Sequence, residues 1–175
     1  AERYYDVRNI MGKVESFRNL EPKKQLKHWS PEQFGAFIRC VSDDEYSLFF
    51  RLLYITGCRK GEALALTWRD VNEQKHSISI TKSLTRKVKG SSYDITTPKN
   101  ESSNREIEIP NNLVSALKEF RTAQGGRLDD FVFGKDKPLA ERTIDRRFSE
   151  AVALSGVPRI RIHDLRHSCA SLLIS

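Results

Sequence analysis

Cysteine is scarce in this chain, and its three copies have none of the spacings typical of metal or redox sites. Cys40, Cys58 and Cys169 are an odd number among 175 residues, and no two of them form a C-x-x-C pair. This usage predicts a reduced intracellular protein. Because each cysteine lies among apolar residues, we expect small buried side chains rather than reactive thiols. No metal and no cofactor are implied.

Long hydrophobic runs are also absent. The longest apolar stretches fall far short of the roughly 18 residues that a membrane span needs. The first five residues, AERYY, lack the apolar core of a signal peptide. The sequence also contains no internal repeat, no low-complexity tract and no glycine-rich phosphate loop. We therefore do not expect a membrane protein.

Acidic residues are outnumbered by basic ones. Thirty Lys and Arg stand against 23 Asp and Glu, which gives a formal charge of +7 and a pI near 9.4. Such a balance favours a polyanionic partner, and nucleic acid is the first candidate. A solvated basic surface without a ligand explains the net charge equally well. With a nucleic-acid partner, we expect a cytoplasmic protein associated with the bacterial nucleoid.

The chain is long enough for one main domain. Residues 1–27 mix charge with Gly12 and Pro22, and we interpret them as a linker or the end of a preceding domain. Ser30-Pro31 with Gln33 predicts a helix start, because serine caps, proline suits the first turn and glutamine completes a capping box. The compact domain is thus predicted over residues 28–175.

Periodicity predicts a mainly helical α+β fold with one small antiparallel sheet. A central helix follows Asp43 and ends near Gly57, and further helices cover about 111–123, 139–154 and 163 onward. Between Ser77 and Ile109 the period changes to two, as in strands. This strand region is basic. Its positive residues are Lys82, Arg86, Lys87, Lys89, Lys99 and Arg105.

Two arginines stand in unexpected surroundings. Arg59 directly follows the central apolar helix, and Arg166 lies on a helix whose other face is apolar. Burying a guanidinium is costly unless it is paired, so core ion pairs, for instance between Arg59 and Glu62, are one explanation. The other is a ligand. His163 and Arg166 are three apart on one predicted helix and can reach a ligand together.

In order along the chain, these residues match a family pattern. Residues 56–64 (TGCRKGEAL) resemble the first-arginine box of the tyrosine recombinases of the phage-integrase type, and 66–71 (LTWRDV) resemble its continuation. Residues 97–99 (TPK) and 103–110 (SNREIEIP) are similar to the hairpin that carries the family's lysine. Residues 163–167 (HDLRH) resemble the second-arginine box. The resemblance implies the fold of DNA breaking-rejoining catalytic domains and makes residues 11–24 the linker from a core-binding domain.

The resemblance also implies roles. Arg59 and Arg166 would clamp the scissile phosphate, where two guanidinium groups can stabilise negative charge without a metal. Lys99 would protonate the leaving 5′-oxygen. His163 would bind phosphate or accept the tyrosine proton, and Glu62 would hold Arg59 in place.

Other basic residues are weighed against this set. Lys87 and Lys89 are predicted phosphate contacts. His167 is expected to pack or to support the site indirectly. Lys60 and Lys82 lack the hairpin context of Lys99, so neither is predicted to be the catalytic lysine.

One family residue is not matched. The nucleophilic tyrosine should follow the second-arginine box, but all five tyrosines lie upstream of His163, at positions 4, 5, 46, 54 and 93. We therefore expect the 175-residue chain to lack the attacking group and to be incompetent in cleavage.

The implied function is site-specific DNA recombination, in integration or excision of a phage or other mobile element, through a 3′-phosphotyrosine intermediate. Implied partners are double-stranded attachment sites and other protomers, as a tetramer in the full-length protein. Two alternatives stay open, a type IB topoisomerase-like enzyme and a non-enzymatic DNA-binding module. A third, a metal phosphohydrolase built on His163 and Asp164, is disfavoured because the other histidines supply no convincing ligand set.

Overall fold

The computed structural model describes residues 28–86, 93–96 and 104–172. Over these residues the fold is mainly helical. The helices are α1 (Pro31–Arg39), α2 (Asp44–Thr56), α3 (Lys60–Ala65), α4 (Asn111–Gln124), α5 (Glu141–Ser155) and α6 (Leu165–Leu172). The strands are β1 (Val71–Asn72), β2 (Ser77–Ile80), β3 (Ser83–Arg86), β4 (Tyr93–Thr96) and β5 (Arg105–Glu108). The predicted linker, 1–27, lies outside the described residues.

Local signals set the helix ends as predicted. The Ser30 hydroxyl accepts a hydrogen bond from the Gln33 N–H (3.3 Å), and the Gln33 side chain accepts one from the Ser30 N–H (3.0 Å). Asp43 caps α2 through the N–H of Glu45 at 3.0 Å. Gly57 ends α2 with a φ of 60°, a left-handed conformation that glycine adopts without a side-chain clash.

Within the described residues the strands form two antiparallel sheets, whereas one sheet was predicted. The three-stranded sheet has the order β1-β2-β5, with Ile78 opposite Ile107, and β3 pairs with β4 in the second sheet. Thr81 and Lys82 separate β2 from β3, so the chain leaves the first sheet and builds the second before β5 returns to β2. Strand alternation predicts which segments are extended, but not which partner each one takes.

Aromatic side chains hold the helices together. The Phe37 ring of α1 lies 5.4 Å from that of Phe50 on α2 and 5.0 Å from that of Phe148 on α5, between ring centroids. Trp29 stacks on Phe148 at 5.7 Å, and its indole N–H donates to the Pro158 carbonyl at 2.8 Å. The central helix α2 is therefore enclosed by its neighbours, as its apolar sequence predicted.

The cysteines fit the expectation of small core side chains at two positions. Cys58 and Cys169 are buried and Cys40 is half-buried. Burial raises the pKa of the Cys58 thiol to about 11, and it also raises the pKa of Cys169, whose thiol donates to the Ile55 carbonyl at 3.2 Å. Thiols with raised pKa values are poor nucleophiles near neutral pH.

The helix α3 lies directly against β3. A Cβ atom at Gly61 would come within 2.7 Å of the Leu84 carbonyl oxygen and 2.8 Å of the Ser83 hydroxyl oxygen. Only glycine permits this approach without a shift of the backbone. The segment after Arg59 is thus fixed against the hairpin of β3 and β4.

Candidate active site

Arg59 lies in the short turn between α2 and α3. It is the residue before α3, and its backbone N–H donates to Glu62 Oε2 at 2.8 Å while its Nη1 donates to Glu62 Oε1 at 2.9 Å. The ion pair considered from the sequence is therefore present. However, the Arg59 side chain is 59% exposed, so it is not the buried guanidinium that the sequence suggested. Glu62 therefore holds the backbone N–H and the Nη1 atom of Arg59, and the rest of the exposed guanidinium remains accessible to a ligand.

Glu62 is the buried member of this pair, with a side chain only 4% exposed. Burial alone would raise the pKa of its carboxyl, but hydrogen bonds from Arg105 and Arg59 outweigh it and hold the pKa below its ordinary value. The carboxylate is therefore ionised at neutral pH. It can hold cationic side chains in a fixed place, which is the role expected from the resemblance.

The second cation at Glu62 is Arg105, which was not predicted from the sequence as a site residue. Its Nη2 donates to Glu62 Oε2 at 2.6 Å and its Nη1 to Glu62 Oε1 at 3.3 Å. The only sequence signal was the place of Arg105 in the segment 103–110. The two residues are 43 positions apart, so their pairing depends on the tertiary fold.

Arg166 reaches the same region from α6, which packs against α2. A Cβ atom at Gly57, two residues before Arg59, would lie 3.8 Å from Arg166 Cγ and 3.2 Å from Cys169 Sγ. The two arginine boxes are therefore in contact. Among the described residues, nothing forms a hydrogen bond with Arg166 Nη1, although this atom is buried.

His163 lies in a 3₁₀ turn, Ile162–Asp164, and not on the same α-helix as Arg166. Asp164 caps this turn by accepting a hydrogen bond from the Arg161 N–H at 2.9 Å, and α6 begins at the next residue, Leu165. His163 is exposed, and its ring centroid lies 5.9 Å from that of His167, edge to face. It is thus one turn from Arg166 and open to solvent.

The predicted lysine and phosphate contacts lie outside the described residues. Lys87, Lys89 and Lys99 belong to segments 87–92 and 97–103, which connect described strands. The two lysines that were not predicted to be catalytic, Lys60 and Lys82, both form ion pairs with carboxylates. Lys60 pairs with Glu141 at 2.9 Å, and Lys82 pairs with Asp70 at 2.8 Å.

The tyrosines that the structure describes are poorly placed for attack. Tyr46 and Tyr54 are buried in α2, and Tyr93 is half-buried in β4. Burial also raises the pKa of Tyr46 and of Tyr54, which disfavours their phenolate forms. Tyr4 and Tyr5 lie outside the described residues.

An open groove of about 770 Å³ lies beside these residues. Its apolar lining includes Phe148, Val152 and Ile160, and its polar lining includes Lys60 and His163. No sequence pattern predicted this groove, because α5, the segment 156–163 and Lys60 form it together. The groove extends from the first-arginine box to His163.

No helix within the described ranges is long and apolar enough to cross a membrane. The helices instead bury their apolar faces in the shared core.

The described residues form a mainly helical domain with small antiparallel sheets, in which the two arginine boxes are in contact. The solved structure of the Tn1549 transposon integrase in complex with transposon right end DNA matches it with a TM-score of 0.73 at 21% identity, covering 89% of this chain and 55% of that one. The XerA recombinase matches with a TM-score of 0.68 at 20% identity, covering 87% and 51%. These matches confirm the predicted fold class.

The model of the phage integrase family matches residues 31–175, and the chain belongs to this family. It is 32% identical over 164 residues to the ICEBs1 integrase of Bacillus subtilis (strain 168). That alignment covers 87% of this chain and 44% of the relative. The chain thus spans less than half the length of this relative.

Proposed function

We propose that the protein cuts and rejoins DNA at specific sites, as the catalytic part of a tyrosine recombinase that integrates or excises a mobile element. Family membership and the integrase names of its relatives support this function. Because the chain covers less than half of the ICEBs1 integrase, the activity of the whole protein is an inference. The observation that carries it is the contact between the boxes of Arg59 and Arg166.

This contact suits a phosphate group. Arg59 offers an accessible guanidinium that Glu62 fixes at one end, and Arg166 has a buried nitrogen that, among the described residues, lacks an acceptor. A buried donor without an acceptor costs about 1–3 kcal/mol, and a bound anion would remove that cost. Two guanidinium groups match the oxygens of a phosphodiester and stabilise the charge that builds up in the transition state.

The proposed reaction breaks one phosphoester bond and forms another. A tyrosine oxygen attacks phosphorus while the bond to the 5′-oxygen breaks, leaving a 3′-phosphotyrosine link. Lys99 gives a proton to the departing 5′-oxygen, and His163 takes the tyrosine proton or binds the phosphate. Attack by a 5′-hydroxyl of another strand then reverses these steps and rejoins the DNA.

We infer that none of the described tyrosines is the nucleophile, because two are buried in the core and the third is half-buried in a strand. The proposed partners are double-stranded attachment sites and further protomers, assembled as a tetramer on DNA. Lys87 and Lys89 are proposed phosphate contacts beside the cleavage site. The proposed place of action is the bacterial nucleoid.

Covalent trapping tests this function. The protein expressed from its complete reading frame is incubated with a nicked suicide substrate that carries its attachment site, and the covalent adduct is measured in a single turnover. Arg59→Ala and Arg166→Ala should each slow adduct formation by ~10²–10³-fold, the usual cost of removing one donor to a developing oxyanion. The matched control is Arg69→Ala, since Arg69 is 60% exposed and also paired with a carboxylate, that of Asp129. It should react like the wild type.

Other outcomes identify the rivals. Binding without any adduct, with Arg59→Ala and Arg69→Ala weakening it equally, would favour the non-enzymatic DNA-binding module. Adduct formation and relaxation of supercoiled DNA without an attachment site would favour the topoisomerase-like enzyme. Loss of cleavage on chelation, with recovery on adding a divalent metal, would favour the phosphohydrolase.

A further inference from the structure

Glu62 is surrounded by more positive charge than one ion pair needs. Its two oxygens accept four hydrogen bonds, two from Arg59 and two from Arg105. A single arginine would be enough to neutralise this carboxylate. The second arginine therefore requires its own explanation.

Charge balance supplies the first part of the explanation. With Arg59 alone, the buried carboxylate would cancel the charge that Arg59 presents to a phosphate. With Arg105 present, two positive groups share one negative group, and the cluster keeps a net positive charge at its exposed member. That member is Arg59, because its side chain is 59% exposed against 31% for Arg105 and 4% for Glu62.

Hydrogen-bond geometry supplies the second part. Arg59 uses one guanidinium nitrogen, Nη1, on Glu62, while Arg105 occupies both carboxylate oxygens through two nitrogens. If Arg105 were removed, both oxygens would have room for a second donor. The Arg59 guanidinium could then turn into a two-pronged pair with Glu62, as arginine and carboxylate prefer. Its donors would then point away from the phosphate.

The backbone of Arg105 is itself well fixed. It is the first residue of β5 and lies opposite Ile80 in the pairing with β2. The same strand follows the segment 97–103, which carries Lys99. Arg105 therefore joins the strand that follows the lysine segment to the box of the first arginine.

From this geometry we propose that Arg105 is a positioning residue, which acts through Glu62 to keep the Arg59 guanidinium aimed at the scissile phosphate. The proposal rests on the proposed function, since it needs Arg59 to contact that phosphate. Arg105 itself does not touch the reacting atoms in this assignment.

A mutant cycle on cleavage tests the proposal. The protein from the complete reading frame is assayed in single turnover with saturating suicide substrate, as wild type, Arg59→Ala, Arg105→Ala and the double variant. Arg105→Ala should slow cleavage by ~10–100-fold, the scale expected when a catalytic group is displaced by about 1 Å, and should change DNA affinity little. The double variant should cleave at the rate of Arg59→Ala, because Arg105 acts only through Arg59.

A matched control separates positioning from simple loss of stability. Arg121 is 28% exposed, close to the 31% of Arg105, and pairs with Glu73, so Arg121→Ala removes an equally exposed arginine and its glutamate pair outside the site. It should leave the cleavage rate near that of the wild type at a temperature where all variants are folded. Arg105→Lys covers the case in which Arg105→Ala does not fold. It keeps the charge but only one point of attachment, and it should cleave more slowly than the wild type.

Two results would overturn the proposal while leaving the proposed function intact. One is Arg105→Ala, or Arg105→Lys if the alanine variant does not fold, cleaving as fast as Arg121→Ala. The other is a double variant slower than Arg59→Ala by the full factor that Arg105→Ala causes alone, which would make Arg105 an independent DNA contact. Failure of the proposed function has a different signature, because Arg59→Ala would then cleave like the wild type or no variant would cleave.

Discussion

At the residue scale, the behaviour of the site depends on a carboxylate that DNA would not touch. Glu62 is buried beneath Arg59, and its ionised state depends on the guanidinium groups around it. A buried carboxylate that lost those partners would become protonated or would destabilise the fold. The stability of the protein and the placement of Arg59 are thus linked through one side chain.

Substitution of Glu62 should expose this link. Glu62→Gln should lower the free energy of unfolding by about 2–3 kcal/mol at neutral pH, because an amide cannot accept four hydrogen bonds from cationic partners as well as a carboxylate. The pKa of Glu62 is lowered in the fold, so its stabilisation is present above the pKa of the unfolded state, about 4.3. It is lost as pH falls through the lower, folded-state value.

Urea unfolding at a series of pH values measures the difference between the wild type and Glu62→Gln. The difference should be largest near neutral pH and should shrink below about pH 4.3. A difference that stayed constant across this range would show that the Glu62 charge does not stabilise the fold.

The proposed general acid gives a second prediction at this scale. Lys99→Ala should slow strand cleavage by ~10²–10⁴-fold with little effect on DNA binding, because it removes the proton donor to the leaving oxygen. A substrate with sulfur at the 5′-bridging position needs little protonation to leave. It should restore cleavage to Lys99→Ala but not to Arg59→Ala, and equal rescue of both would remove Lys99 from this role.

Sequence alone predicts local relations between residues better than distant ones. The Arg59–Glu62 pair could be named because its members are three positions apart, at the start of a helix. Arg105 could not be placed beside them, since that contact requires β5 to return to β2 across a long segment. The exposure of Arg59 was also missed, because residues that flank a buried helix are not themselves necessarily buried.

At the element scale, the sequence predicts the ends of helices better than it predicts the partners of strands. Helix ends followed capping signals within a few residues, as at Ser30, Asp43 and Gly57. Strand partners did not follow from alternation, so two sheets appeared where one was predicted. The consequence for function is direct, because the pairing of β5 with β2 brings Arg105 to Glu62.

The contact between α3 and β3 gives a prediction of its own. Gly61→Ala should destabilise the protein by about 1–3 kcal/mol, because the added methyl group would meet the Leu84 carbonyl at 2.7 Å and force the backbone to move. Gly35→Ala is the matched control, since the nearest atom to its new Cβ is the flexible end of Arg39 at 3.6 Å.

Urea unfolding of the two variants gives the comparison. Gly35→Ala should stabilise α1 by up to about 1 kcal/mol, because alanine favours a helix over glycine. Because α3 carries the Arg59 box, Gly61→Ala should also slow cleavage. Equal stability of the two variants would contradict the close approach of α3 and β3.

At the scale of the whole molecule, the site is assembled from parts far apart in the chain. The segment around Gly57 contacts α6. Trp29, near the start of the described residues, also contacts α6, because its backbone N–H donates to the Ser168 hydroxyl at 2.9 Å. Neither contact follows from sequence patterns. The family resemblance predicts Arg59 and Arg166 at one phosphate because it carries the tertiary arrangement of an entire fold, and that shared role stays a prediction.

The net charge of the molecule leads to a prediction about DNA binding. With a formal charge of +7, the 175-residue chain should bind duplex DNA with weak sequence preference, and affinity should fall at least about tenfold between about 50 and 200 mM salt. Each phosphate contact contributes about −0.9 to the slope of log K against log salt.

Replacing both Lys87 and Lys89 by alanine should therefore make the slope shallower by about 1.8 if each lysine contacts a phosphate. The control is the double replacement of Lys75 and Lys118 by alanine, which lowers the net charge equally at two exposed positions, in the turn before β2 and on α4. Its slope should stay close to that of the wild type, because counterions are released only where lysines meet phosphates. Equal changes in both double variants would mean that affinity follows total charge alone, and Lys87 and Lys89 would then not be specific phosphate contacts.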